Sequence, residues 1–138
     1  MQFTIKSVES IMDEAEYPGI RLKLEAVLDT MKTPLKIDIS TDNLITPKEV
    51  NYAYKLMFEE YIIPVLAYNL ETVLAEKMET IISRGVLNKR MRDYYDLTVL
   101  NIVKSEAINV SNLRKALDAT SRKRGSHEFM ADWKHILR

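Results

Sequence analysis

The hydrophobic period of this chain changes once, at Tyr68, and that change limits the folds open to it. Before Tyr68 the apolar residues recur mostly at every second position, and after it they recur at helical spacing. Alternation gives strands with one apolar face, and a period near 3.6 gives helices with one apolar stripe. Strands gathered in one half and helices in the other predict an α+β fold: antiparallel strands first, a helical bundle second.

In the strand half, Phe3 and Ile5 alternate with Thr4 and Lys6, which predicts a strand over about 2–6. Val8, Ile11, Met12 and Ala15 follow Ser7 at helical spacing, so that segment reads as either strand or short helix. Pro18-Gly19 signals a turn. Ile20, Leu22, Leu24, Ala26 and Leu28 then alternate with Arg21, Lys23 and Glu25, as in a strand with one wet face. Thr33-Pro34 reads as a break before a third strand, with Leu35, Ile37 and Ile39 on one face and Lys36, Asp38 and Ser40 on the other. Tyr52, Tyr54, Leu56 and Phe58 predict a fourth strand, and residues 61–67 a fifth, with Pro64 placing it at an edge or bulge. Consecutive strands of this kind are expected to pair antiparallel.

The helical half reads as helices over 69–83, closed by Gly85, and over 91–103. A third runs from Asn109 or Ser111 to just before Gly125, and a fourth covers 127–137 with Phe129, Met130, Trp133, Ile136 and Leu137 toward one side. The 138 residues are expected to form one unit, strand-rich over 1–67 and helical over 68–138.

The chain has no cysteine, which rules out disulfides and thiolate metal sites and fits a reducing compartment. No apolar run approaches the roughly 20 residues a membrane span needs, and Met1 to Lys6 lacks the apolar core of a signal peptide. A cytoplasmic location with no membrane partner is the expectation. Formal net charge is zero, yet residues 114–138 are basic, with Arg114, Lys115, Arg122, Lys123 and Arg124 among them. That run is a solvated helical face or a surface for nucleic acid or an acidic partner.

The candidate site lies at 68–96. Leu70, Val73, Leu74, Met78, Ile81 and Ile82 form the stripe of the first helix, and Lys77 falls inside its edge. Val99, Leu100 and Val103 form the stripe of the second, with Asp96 among them and Arg92 and Asp93 one turn back. A buried charge needs a partner, since the effective desolvation penalty is several kcal/mol per ion. Two readings follow: an ion pair tying the helices together, or a polar pocket where Lys77 meets a phosphate and an aspartate positions a ligand. The loop between the helices carries Arg84, Lys89, Arg90 and Arg92 with no acid, which suits phosphate oxygens. No Walker-type loop exists, because the glycines are Gly19, Gly85 and Gly125 alone. Asp38 is a second candidate, either a solvated strand position or a carboxylate for Mg²⁺. His127 and His135 read as surface residues and Trp133 as core. Of Tyr94 and Tyr95, one is expected to pack and the other is placed to stack on a base.

These residues carry a family resemblance. The run from Tyr68 through Glu71 to Glu76-Lys77, then Ser83-Arg84-Gly85, Asn88 and Arg90-Met-Arg92-Asp93-Tyr-Tyr95-Asp96, resembles the AbiEii/AbiGii toxins of type IV toxin–antitoxin and phage-abortive systems. Tyr17-Pro-Gly-Ile-Arg21, Leu35 to Ser40 and Ala119 to Gly125 resemble further family segments. The resemblance implies a polymerase-β-type nucleotidyltransferase that uses Mg²⁺ and a nucleoside triphosphate (NTP) to transfer NMP to RNA such as tRNA. It also implies an antitoxin or a full-length relative as partner. By position it makes Asp38 a metal-site carboxylate, Lys77 a triphosphate contact, Asp93 and Asp96 parts of the pocket, and Arg84 and Arg92 neighbours of phosphate. Asp38, Lys77 and Asp96 would be its catalytic residues. The chain departs from the family in holding no Asp-x-Asp motif ahead of Asp38. The expectation is therefore the C-terminal portion of such a toxin, inactive alone or completed by another segment. The alternative is a non-catalytic nucleotide- or RNA-binding module that regulates a full-length relative. Sheet edges left unpaired would favour a homo-oligomer.

Overall fold

The computed structural model describes residues 1–11, 19–40 and 44–131. The readings that rest on Pro18, Trp133, His135, Ile136 and Leu137 lie outside the described residues. The architecture is α+β: among the described residues five strands precede four helices. Residues 1–43 and 44–138 form two separate units.

The first unit is a three-stranded antiparallel sheet in the order β1 (Gln2–Ile11), β2 (Gly19–Leu28), β3 (Met31–Ser40). The segment that read as strand or helix is strand as far as Ile11, and its Met12 and Ala15 lie outside the described residues. A bulge between Ile5 and Ser7 shifts the register of β1, so that Ile5 faces Leu24 and Val8 faces Leu22. The extra residue, Lys6, breaks the alternation and moves the inward positions from odd to even numbers. That shift is what gave Val8 a helical offset from its neighbours. The predicted break at Thr33-Pro34 is instead interior to β3, where Pro34 lies opposite Glu25 on an edge strand that needs no outward donor. The turn falls at Asp29-Thr30, and Asp29 takes a left-handed φ of 53°, a conformation Asp tolerates better than most residues.

Register assigns every side chain of this sheet to a face. Leu22 pairs with Ile37, Leu24 with Leu35 and Ile20 with Ile39, and Phe3 and Ile5 meet Ala26 and Leu24 from the other side. All these residues share one face. The opposite face carries three cross-strand ion pairs: Lys6–Glu25 at 3.1 Å, Lys23–Glu9 at 2.6 Å and Arg21–Asp38 at 2.7 Å.

The second unit begins with a hairpin of β4 (Val50–Lys55) and β5 (Ile62–Ala67). The fourth strand stops at Lys55, short of Phe58, because Leu56 N–H donates to the Tyr61 carbonyl (3.1 Å) and closes the turn. Four helices follow: α1 (Leu70–Arg84), α2 (Met91–Lys104), α3 (Val110–Lys123) and α4 (His127–Ala131). Asn69 caps α1 by accepting from Thr72 N–H at 2.8 Å, while its amide donates to the carbonyls of Thr46 (2.9 Å) and Lys48 (2.7 Å). Gly85 closes the helix with φ 49°, as its position predicted.

Helix α1 packs against α2, α3 and α4, and residues on most of its circumference are buried. Its buried set includes Leu74, Ala75 and Ile81 together with Glu71, Thr72, Glu79 and Thr80. Small residues let α3 approach closely, and its two ends supply hydrogen bonds to the acids. Glu71 accepts from Asn109 N–H at the start of α3 (2.8 Å). Glu79, 2% exposed, accepts from Arg124 (2.6 Å) and from the Ser126 hydroxyl (2.6 Å) just past its end. Arg124 also donates to Thr80 Oγ1 at 3.0 Å. Replacing Glu79 with alanine would strand a buried guanidinium and is expected to destabilise the fold by about 3–5 kcal/mol in chemical denaturation. Glu79→Gln keeps an acceptor for Ser126 and should lose less.

Candidate functional site

Lys77 and Asp96 face each other because α1 turns back through a short 3₁₀ segment, Gly85–Leu87, and α2 begins four residues later. Asn88 shapes that connection by accepting from Arg90 N–H at 2.9 Å. Lys77 Nζ lies 2.6 Å from Asp96 Oδ2 and 3.3 Å from Asp93 Oδ1. Arg90 Nε sits 3.1 Å from Asp93 Oδ2, an ion-pair approach without hydrogen-bond alignment. The inter-helix ion pair is therefore present. Asp93, 3% exposed, is the buried residue of α2, whereas Val99 and Leu100 are only half-buried and Val103 is exposed. Charge rather than apolar area holds this side of α2 to α1.

Burial by itself would lower the pKa of the Lys77 ammonium. Hydrogen bonds to Asp96 and Asp93 outweigh it, and the net effect raises Lys77 above the ordinary lysine value of 10.5. A raised folded-state pKa contributes stability that is complete below the unfolded value and is lost as pH rises through the folded one.

Beside this pair lies a cleft of about 280 Å³, lined by Val73, Lys77, Asp96, Val99 and Leu100. Its walls are apolar and its rim offers one ammonium and one carboxylate. Ligand pockets run from about 300 to 1,000 Å³, so this one accommodates a fragment such as a base or sugar rather than a whole nucleotide.

The other predicted site residues are placed differently. Arg84 ends α1 half-buried, and Arg92 is exposed in the first turn of α2; neither lines the cleft. Lys89 and Arg90 are exposed, so the connecting loop presents basic residues to solvent. Tyr94 and Tyr95 are both exposed, Tyr95 more so. His127 is a surface residue as expected, 3.3 Å from Ser121 Oγ and 3.5 Å from Asp118 Oδ1. Arg124, read as part of a basic face, is largely buried against Glu79 instead. Asp38 belongs to the sheet unit, where Arg21 binds both its oxygens at 2.7 and 2.8 Å. The Arg21 hydrogen bonds hold its carboxyl below the usual aspartate range.

Sequence reasoning gave no role to Glu71, quoted only within the family resemblance, and passed over Glu79; both hold α3 to α1. The signal was available: Glu71, Ala75 and Glu79 recur every fourth residue, in line on one face beside Thr72 and Thr80. Acids aligned with small residues mark a helix face that is both close-packed and paired.

The stability difference between wild type and Lys77→Met should be constant from neutral pH to 10.5 and shrink above it, measured by urea denaturation across pH.

No curated protein and no solved structure matches the chain significantly. The family model described as nucleotidyl transferase AbiEii toxin, type IV TA system, matches residues 1–135, almost the whole sequence. The chain belongs to the AbiEii nucleotidyl transferase toxin family.

Proposed function

We propose that this chain acts in nucleotide binding for nucleotidyl transfer, with the α1–α2 cleft receiving the base or sugar of a nucleoside triphosphate. The observation that carries this reading is the Lys77–Asp96 pair on the rim of an otherwise apolar cleft. Val73, Val99 and Leu100 offer the flat apolar contact a base needs, and Lys77 and Asp96 offer a donor and an acceptor to its edge. Lys77 already faces two carboxylates, so a triphosphate is better met by the basic connection, at Lys89, Arg90 and Arg92, with Arg84 at its base. Family membership implies an antitoxin as partner.

Family chemistry also implies Mg²⁺. The described residues do not fit it: no three His, Cys, Asp or Glu side chains among them are grouped to hold a cation. Asp38 would have to exchange Arg21 for the metal. In-line phosphoryl transfer depends on such carboxylates. This favours, as a second reading, a nucleotide- or RNA-binding module that does not itself transfer.

Titration calorimetry with ATP and GTP, each with Mg²⁺, tests the pocket. Wild type is expected to bind one of them, with affinity lowered at least about tenfold in Lys77→Gln, a loss of roughly 1.4 kcal/mol. No binding by folded wild type would sink the reading. Incubation with α-labelled NTP and tRNA separates the two readings. Label on RNA, lost in Asp96→Asn, establishes transfer by this chain; nucleotide binding without label establishes the module.

A further inference from the structure

The sheet of residues 1–43 has one face that no other described residue of its own unit covers. Phe3, Ile5, Ile20, Leu35, Ile37 and Ile39 on it are each about 40–60% exposed, with Ile37 at 49% at the centre of β3. Among the described residues of this unit there is no helix, and Ala26 is the buried hydrophobic residue. A sheet with one apolar face is stable when that face is buried against another layer.

We propose that the covering layer is the same face of a second copy of this chain, packed sheet on sheet across a twofold axis. Three observations select that occupant. The first is area: with half of each side chain accessible, the face offers on the order of 800–900 Å² of apolar surface. That matches the roughly 800 Å² each partner buries in a stable interface and exceeds the 300–600 Å² patch typical of a monomer. The second is charge. The cross-strand ion pairs Lys6–Glu25, Lys23–Glu9 and Arg21–Asp38 lie on the opposite face, and the described strand residues of the apolar face carry no charge, so two identical apolar faces meet without like-charge contact. A face this free of charge resembles a permanent interface, not a transient one. The third is the edge: β3 carries Lys32, Pro34 and Lys36, residues that discourage edge-to-edge pairing along that side of the sheet.

The full chain tests this directly, and its lack of cysteine makes labelling clean. Light scattering should give twice the chain mass of 16.0 kDa. Ile37→Glu should return the mass to that of one chain, while Lys36→Glu, on the charged face, leaves it doubled. Sheets packed face to face lie about 10 Å apart, so a short bismaleimide should join two copies through Leu24→Cys or Ile37→Cys but not through Lys36→Cys. If Ile37→Glu fails to fold, the three cysteine variants decide alone. A single-chain mass for wild type overturns the proposal. It does so whether Ile37→Cys is then shielded from a water-soluble maleimide, meaning the chain covers itself, or reactive, meaning another protein is the occupant. A doubled mass in folded Ile37→Glu, or crosslinking at Lys36→Cys alone or at none of the three, overturns it as well.

Discussion

The helical unit depends on a carboxylate buried where a leucine would ordinarily stand. Glu79 is enclosed with Arg124 and Ser126, and its charge is tolerated because both partners reach it at hydrogen-bond distance. Glu71, two turns earlier, caps the beginning of α3 in the same way. The two acids fix α3 along α1 at both ends. Apolar packing alone would permit sliding by a turn; one ion pair and these directed hydrogen bonds permit one register.

That register determines the chemistry of the opposite side of α1. Lys77 points toward α2, and the two helices meet around it through Asp93, Asp96 and Arg90. The ammonium is kept charged by its carboxylates rather than depressed by burial, which suits a group that donates hydrogen bonds rather than one that gives up a proton. The cleft next to it is shallow and apolar. Asp93 and Asp96 are not joined by a third carboxylate, histidine or cysteine among the described residues that could group with them around a metal ion.

The sheet unit has the complementary character. Its polar face satisfies itself through cross-strand ion pairs, while its apolar face is left open by the described residues of its unit. The bulge at Lys6 contributes to this division, since it brings Val8 to the apolar face and places Lys6 beside Glu25 on the other. Asp38 takes part in that ion-paired surface, so its place in a catalytic centre would require Arg21 to release it.

The sequence alone determined the order of strands and helices through their periods, the cap at Gly85 through its glycine, and the need of Lys77 for a charged partner, with the aspartates of α2 as one of two candidates. These are local properties: a two-residue or 3.6-residue repeat fixes which side chains share a face, and a charge within an apolar stripe requires a partner. Residue spacing could not decide where β1 continues, because one bulged residue inverts the parity of everything after it. Nor could it show that Pro34 lies inside a strand, since whether a missing N–H matters depends on which edge has a neighbour. Arg124 and Glu79 are 45 residues apart in the chain, and only the packing of α3 on α1 turned one from a surface cation into a buried partner of the other. The decisive quantity in each case is burial, which belongs to the tertiary fold, because a charge or a donor has a large free-energy consequence only where water is excluded.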